Sequence, residues 1–244
     1  MRTYIVNLKQ STDRKEYMLG VLNPYSFLNV NFIEGVDGRV LSSDLLNELF
    51  DQKRAVDYYG RECTPGEVGC TLSHQKCYQA LINSDDEYAL ILEDDVIILE
   101  AFENIIAEVK QFLLEGSPTI ILLSGGFWYT HTKKQIDIGH NLVNIHDALF
   151  THSYIITKSA AKLLIEKKPF FQADNWRYIK SKGVRLVGVL PRVVTQEWDE
   201  FQSLIADDSR KLIRKNMSLK GAINSYYISL MRKLYAIFNH FEKY

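Results

Sequence analysis

The sequence predicts an α/β fold, a mainly parallel sheet with helices on its faces. Three features of the 244 residues support this. Apolar runs without polar alternation, such as Tyr88-Ala-Leu-Ile-Leu92, read as strands buried on both faces. Segments of helical length, several with capping residues at their starts, lie between these runs. Strand and helix signals alternate along most of the chain, which is the order of a parallel sheet with crossover helices. In such sheets ligands bind at the carboxyl ends of the strands.

Taken in order, residues 4–8 form the first buried strand, and a helix follows in which Asp13 and Glu16 have capping-box spacing. Residues 31–36 are a short strand closed by the turn pair Asp37-Gly38. Ser42, Ser43 and Asp44 offer N-caps for a helix through Phe50. The clearest helix start is Thr64-Pro65-Gly66-Glu67, in which Thr64 caps, Pro65 suits the first turn and Glu67 completes the box; that helix runs to about Asn83. The strand 88–92 then leads into Glu93-Asp94-Asp95. An amphipathic helix over 100–114, strands over 119–123 and 149–156, a helix over 159–168 stopped by Pro169, and a strand over 184–190 complete the reading.

Charge and cysteine usage narrow the function classes. Lys plus Arg number 29 against 30 for Asp plus Glu, so the chain lacks the cationic surplus of a general nucleic-acid binder. No run approaches the roughly 18 apolar residues of a spanning helix, and the N-terminus turns polar too early for a secretory signal. Cys63, Cys70 and Cys77 are odd in number and lack Cys-x-x-Cys spacing, which fits neither a disulfide framework nor a structural zinc site. A cytoplasmic protein with reduced thiols is expected. Residues 209–244 carry eight cations against one anion, so a main domain over 1–208 and a basic tail over 209–244 are expected. In that tail Tyr227, Leu230, Met231, Leu234 and Phe238 form one stripe at helical pitch, a pattern suited to an anionic membrane surface, or else to packing on the domain itself or to dimerisation.

Glu93-Asp94-Asp95 closes a strand buried on both faces. Alternation along extended backbone sends Glu93 and Asp95 one way and Asp94 the other. Two carboxylates on one side repel unless a cation or proton lies between them, and oxygen ligands there suit Mn²⁺ or Mg²⁺ bridging to substrate phosphates. A solvated acidic turn is the plainer alternative. The sequence shows no Gly-x-x-x-x-Gly-Lys-Ser/Thr loop and no Gly-x-Gly-x-x-Gly turn after the first strand, which argues against P-loop and dinucleotide enzymes.

Several segments together resemble glycosyltransferase family 25 of bacterial lipooligosaccharide synthesis. They are Gly66-Glu67-Val68-Gly69-Cys70-Thr71-Leu72-Ser73-His74, the run Leu90-Ile-Leu-Glu-Asp-Asp-Val96, and Ser153-Tyr154-Ile155-Ile156-Thr157 leading to Ala160, Ala161, Lys162 and Leu163. Ile5-Val6-Asn7-Leu8 with Asp13-Arg14, and Val36-Asp37-Gly38, are similar to the family's first two motifs; Asp174, Thr195-Gln196-Glu197 and Ser203-Leu204-Ile205 stand where its later ones would be. The likeness covers residues 3–205. Before the Tyr-Ile-Ile strand the family usually has small residues, whereas this chain has Thr151-His152-Ser153.

The resemblance implies a GT-A-type nucleotide-binding fold that transfers a hexose with inversion, usually galactose from UDP-galactose with Mn²⁺, onto a glycolipid or oligosaccharide acceptor. The location that goes with it is the inner face of the bacterial inner membrane. Asp95 is then the first metal ligand with Glu93, and Asp94 substitutes if the turn rotates the pair. Asn7, Arg14, Asp37, Gly38, Ser73, His74, Glu93, Asp94, Gln196 and Ser203 would bind the donor. Arg14 either forks onto a phosphate or pairs with Asp13 or Glu16. His74 shares a helical stripe with Cys70, Cys77 and Leu81, so it is either a core histidine or a donor contact. Asp174 is the candidate base for the acceptor hydroxyl, or else the cap of a helix starting at Asn175, with Asp199 and Glu200 in reserve. A nucleotidyltransferase or phosphohydrolase using the same carboxylates, and a non-catalytic membrane-surface module, are the competing functions.

Overall fold

The computed structural model describes residues 1–113, 116–196, 219–238 and 240–242, with backbone alone at 131, 132 and 219–225. The first half contains β1 (Arg2–Asn7), α1 (Thr12–Leu22), β2 (Asn29–Glu34), a 3-10 turn at Gly38–Val40, α2 (Ser43–Leu49), α3 (Gln52–Tyr59), α4 (Pro65–Asn83), β3 (Tyr88–Glu93), β4 (Val96–Ile98) and α5 (Phe102–Leu113). The second contains β5 (Thr119–Leu122), β6 (Phe127–Asp137), β7 (His140–Ala148), β8 (Ser153–Thr157), α6 (Lys158–Leu164), α7 (Trp176–Ser181), β9 (Arg185–Leu190), β10 (Val194–Gln196), α8 (Leu219–Ile237) and β11 (Phe241–Glu242).

A nine-stranded sheet in the order β11-β6-β7-β9-β5-β8-β3-β1-β2 forms the centre, and β4 pairs with β10 in a separate ribbon. Strands β1, β2, β3, β5, β6 and β9 run one way; β7, β8 and β11 run against them. The α/β expectation therefore holds, with a mixed sheet rather than a uniformly parallel one. Strand β8 lies antiparallel between β3 and β5, with Leu92 opposite Ser153, and this brings residues 151–152 alongside the acidic run.

Strand alternation divides the core. Ala89 and Ile91 join Tyr4, Tyr154 and Ile156 on the face covered by α4, α6 and α7. Leu90 and Leu92 join Ile5, Ile155 and Val187 on the face covered by α1 and α5. Each such aliphatic side chain contributes roughly 1.5–3 kcal/mol when fully removed from water. Helix α4 starts with the expected capping box: Thr64 Oγ1 accepts from the Glu67 amide, and the Glu67 carboxylate accepts from the Thr64 amide at 2.7 Å.

Other expectations shift. The first helix is entered from Ser11 with no side-chain cap, so the Asp13/Glu16 spacing is not its capping box. The expected strand 149–156 begins only at Ser153, because residues 149–152 form a loop. That loop holds Phe150 in the left-handed region (φ 61°), a conformation costly for a bulky residue. Helix α6 ends at Leu164 rather than near Lys168, and α3 and the β6–β7 hairpin were not anticipated.

The tail folds back as α8 and β11. Arg232 Nε donates to the buried Asp147 at 2.9 Å, Tyr235 stacks on His146 with ring centroids 4.3 Å apart, and Phe241 stacks on Trp128 at 4.7 Å. Strand β11 pairs with β6 at the sheet edge. The expected boundary at 208 lies outside the described residues.

Candidate active site

The site is built at the carboxyl ends of β1 and β3. Extended backbone stops at Glu93, so parity assigns that residue to the α4 face and Asp94 to the α1 face. The contacts agree. Asn7, at the end of β1, donates from Nδ2 to Asp94 Oδ2 at 2.8 Å and to the Ser11 carbonyl at 3.0 Å. Arg14, in the first turn of α1, donates from one guanidinium nitrogen to Asp94 Oδ1 at 2.7 Å and to Asp95 Oδ2 at 3.1 Å. Gln196, from β10, donates to the same Asp95 oxygen at 3.1 Å. Asp95 Oδ2 thus faces Arg14 together with Asp94, since alternation ends with the strand, while the Glu93 charge still acts on its carboxyl. Arg14 pairs with the acidic run, not with Asp13 or Glu16.

On the other face, Glu93 Oε1 accepts from Thr151 Oγ1 at 2.5 Å and lies 3.7 Å from His74 Nε2. The Glu93 amide donates to the His152 carbonyl at 2.9 Å. His74 is buried, and its Nδ1 is 2.7 Å from the Tyr154 hydroxyl, which is 3.1 Å from that of Tyr78. The stripe Cys70, His74, Cys77, Leu81 faces inward, with Cys70 partly covered and the other three buried. His152 stacks on Phe150 at 4.8 Å, and Trp176 Nε1 donates to the Phe150 carbonyl at 3.0 Å, fixing the strained residue.

The two faces have opposite electrostatics. Burial pushes the Asp95 carboxyl up to about 6, and the neighbouring Glu93 charge adds to the shift, against Gln196 and Arg14. Burial also raises Glu93, but the imidazoles of His74 and His152 outweigh it and hold that carboxyl well below its ordinary range.

A second group lies at the start of α4. Ser73 Oγ accepts from the Val36 amide at 2.8 Å and donates to the Gly69 carbonyl at 2.7 Å, tying the 35–38 loop to the helix. Gly38 and Gly69 permit that contact: a Cβ on Gly38 would lie 1.8 Å from the Pro65 carbonyl oxygen, and one on Gly69 2.4 Å from that of Val36. Asp37 is held by Arg39 at 2.7 Å and Gln10 at 3.0 Å, and the Arg39 hydrogen bonds lower its carboxyl below the usual range.

Asn175, not Asp174, caps α7, through its side-chain oxygen and the Tyr178 amide. Asp174 is solvent-exposed. Desolvation by the surrounding protein, then Glu67, and more weakly Glu93, raise it. Ser203, Asp199 and Glu200 lie outside the described residues.

Two donor sets could hold a cation. Among the described residues Asp95 Oδ1 is buried without a hydrogen-bond partner, and burial raises its carboxyl even with Arg14 beside Oδ2; an all-oxygen site of this kind fits Mn²⁺ or Mg²⁺. Cys70 Sγ, a ring nitrogen of His74 and a Glu93 oxygen lie within 4.8 Å of one another, a softer set. The three cysteines are free, and burial raises each thiol.

Thr151, His152, Tyr78 and Tyr154 also belong to the site, though the sequence did not single them out as functional. The departure of residues 151–153 from the family pattern was the available signal.

Comparison with known proteins adds kinship. Glycosyltransferase family 25 (LPS biosynthesis protein) matches residues 1–175. A glycosyltransferase 25 family member of Aedes aegypti is 30% identical over 170 residues, covering 68% of this chain and 28% of the relative. Human procollagen galactosyltransferase 2 is 27% identical over 174 residues, with 68% and 28% covered. The chain thus spans little more than a quarter of the length of these relatives. Among solved structures, a glucose-1-phosphate thymidylyltransferase described as putative, from Bacillus anthracis, aligns with a TM-score of 0.40 at 13% identity, over 80% of this chain and 89% of that one.

Proposed function

Because this chain belongs to glycosyltransferase family 25, we propose that it is an inverting, metal-dependent hexosyltransferase that moves galactose from UDP-galactose onto a lipooligosaccharide or related glycan. The carrying observation is the buried carboxylate cluster at the ends of β1 and β3, in which Asp95 Oδ1 has no hydrogen-bond partner among the described residues.

In this reading Asp95 and Glu93 hold Mn²⁺ or Mg²⁺, with Asp94 beside them. The bound ion would supply Lewis-acid stabilisation of the departing diphosphate. Asn7 fixes Asp94, and Gln196 fixes Asp95. Arg14, already bridging both aspartates, supplies fixed positive charge next to the phosphates. The Asp37-Gly38 loop, packed on α4 through Ser73, forms the nucleoside side of the cleft. Asp174 takes the acceptor hydroxyl proton as that oxygen attacks the anomeric carbon and the bond to the diphosphate breaks. Its raised pKa makes it a stronger base than an ordinary aspartate.

The tail bears on location. Helix α8 docks through Arg232 and Tyr235, which leaves Tyr226, Tyr227, Leu230, Leu234, Ile237 and Phe238 exposed. Among the described residues no helix is long and apolar enough to cross a membrane. In our reading the exposed stripe, in a basic tail, rests on the anionic inner face of the bacterial inner membrane and brings the cleft to a lipid-anchored acceptor.

The test is a panel of sugar nucleotides with Mn²⁺, scored by released product. UDP release from UDP-galactose is expected. Pyrophosphate or inorganic phosphate would replace this reading with nucleotidyl transfer or phosphate hydrolysis, and absence of turnover with every donor would leave a binding module.

A further inference from the structure

A buried chain of polar groups behind Glu93 has no part in the transfer steps above. It runs from the Tyr78 hydroxyl to that of Tyr154 at 3.1 Å, and from there to His74 Nδ1 at 2.7 Å. All three side chains are buried. The other ring nitrogen, Nε2, is buried without a hydrogen-bond partner among the described residues and stands 3.7 Å from Glu93 Oε1, the oxygen to which Thr151 donates.

The protons of this chain follow by elimination. A ring with Nε2 bare would set its lone pair against a carboxylate oxygen, and the two would repel. With the proton on Nε2 the ring attracts Glu93. Nδ1 then accepts from the Tyr154 hydroxyl, whose oxygen accepts from Tyr78, so each hydroxyl proton has an acceptor. A doubly protonated ring likewise turns Nε2–H toward Glu93. Burial raises both phenols, so they remain protonated.

We propose that His74 is a positioning residue: the two tyrosines lock its ring, and its Nε2–H, together with the Thr151 hydroxyl, fixes Glu93 through Oε1 so that Oε2 is presented to the ligand in the cleft. This rests on the reading of Glu93 as a ligand of the donor's metal and gives that reading its supporting shell. A protein group that orients a metal ligand from behind typically changes metal affinity or activity about 10–100-fold when removed. The same atoms do not form a thiolate–imidazole metal site in this account. Nε2 carries a proton and directs it at Glu93 Oε1.

The experiment compares His74→Leu, His74→Gln and Tyr154→Phe in the full chain. His74→Leu should lower kcat and raise the Mn²⁺ concentration for half-maximal rate, together by about 10–100-fold, with the acceptor KM unchanged. His74→Gln, whose amide N–H reaches the place of Nε2, should recover most of the loss. Tyr154→Phe, which keeps the ring and frees the imidazole, should fall between them. Crystal structures of wild type and His74→Leu should show Glu93 displaced in the variant. An unmoved Glu93, or a His74→Leu enzyme with wild-type kcat and Mn²⁺ requirement, would overturn the proposal. Should the wild type transfer no sugar, the functional reading fails while the position of Glu93 still decides this one. A thiolate charge-transfer band in Co²⁺-loaded protein that Cys70→Ser abolishes would also overturn it, by making Nε2 a metal ligand.

Discussion

The acidic run and the C-terminal helix both place charge beside aromatic rings, but they are attached to the sheet in opposite ways. Glu93, Asp94 and Asp95 are joined to four separate elements of the fold, α1, α4, β1 and β10, and to the 149–152 loop. Helix α8 is attached chiefly through Arg232 to Asp147 and through stacked rings, with much of its apolar surface in solvent. Interlocked, desolvated charges cannot be moved one at a time without leaving another unpaired. A peripheral ion pair and a few ring stacks can open with the sheet intact. Chemistry is therefore expected to be sensitive at the strand ends, and only docking at the tail.

The largest effect that would break this contrast lies at Asp95. Asp95→Ala should lower transfer by at least about 100-fold, the scale for losing one preorganised charge-stabilising group, with the thermal midpoint nearly unchanged. Wild-type turnover in that variant, or full activity in excess chelator, would remove the metal role. Asp174→Asn is expected to cost about 10²–10⁴-fold in kcat with donor affinity kept, measured by calorimetric UDP binding beside steady-state rates. Next comes Gly38→Ala, whose Cβ would meet the Pro65 carbonyl at 1.8 Å. It should destabilise the protein by about 1–3 kcal/mol or more in urea unfolding and weaken donor binding with it, since loop and helix must part.

The smallest effect belongs to the tail. Burial, and then Arg177, lower the pKa of His146 from its ordinary 6.5, so the docked ring resists protonation. Above pH 6.5 the ring is neutral docked or free, and its contribution to docking is complete. As the pH falls below 6.5, the undocked state binds the proton first and docking weakens. Amide protection factors in α8, taken relative to intrinsic exchange at each pH, should fall there, while those in β3 stay constant. An equal fall in both would show that the two regions open together.

Much of this arrangement was legible in the sequence because it rests on local chemistry. Thr64-Pro65-Gly66-Glu67 announced α4, and the apolar run before Glu93 announced β3, since capping and alternation need no distant partner. The acidic run was legible as a site, but its division between two faces was not: alternation extends only as far as the strand, and the turn that sends Asp95 to Arg14 leaves no mark of its own. Thr151 and His152 reach Glu93 through the antiparallel pairing of β8 with β3, a non-local register that periodicity does not encode. The β6–β7 hairpin escaped because bulges interrupt its ladder and polar residues fill its outer half.

The short strand β11 has a bearing on solubility. Without it, the backbone amides and carbonyls of Phe127 and Trp128 would form an open, apolar margin of the sheet onto which a neighbouring chain could add. Phe241 and Glu242 occupy that margin, and Glu242 engages Arg192 at 3.5 Å. Two residues with a carboxylate among them offer too short and too charged a template for a further strand, so the pairing that secures the tail also guards the sheet against aggregation.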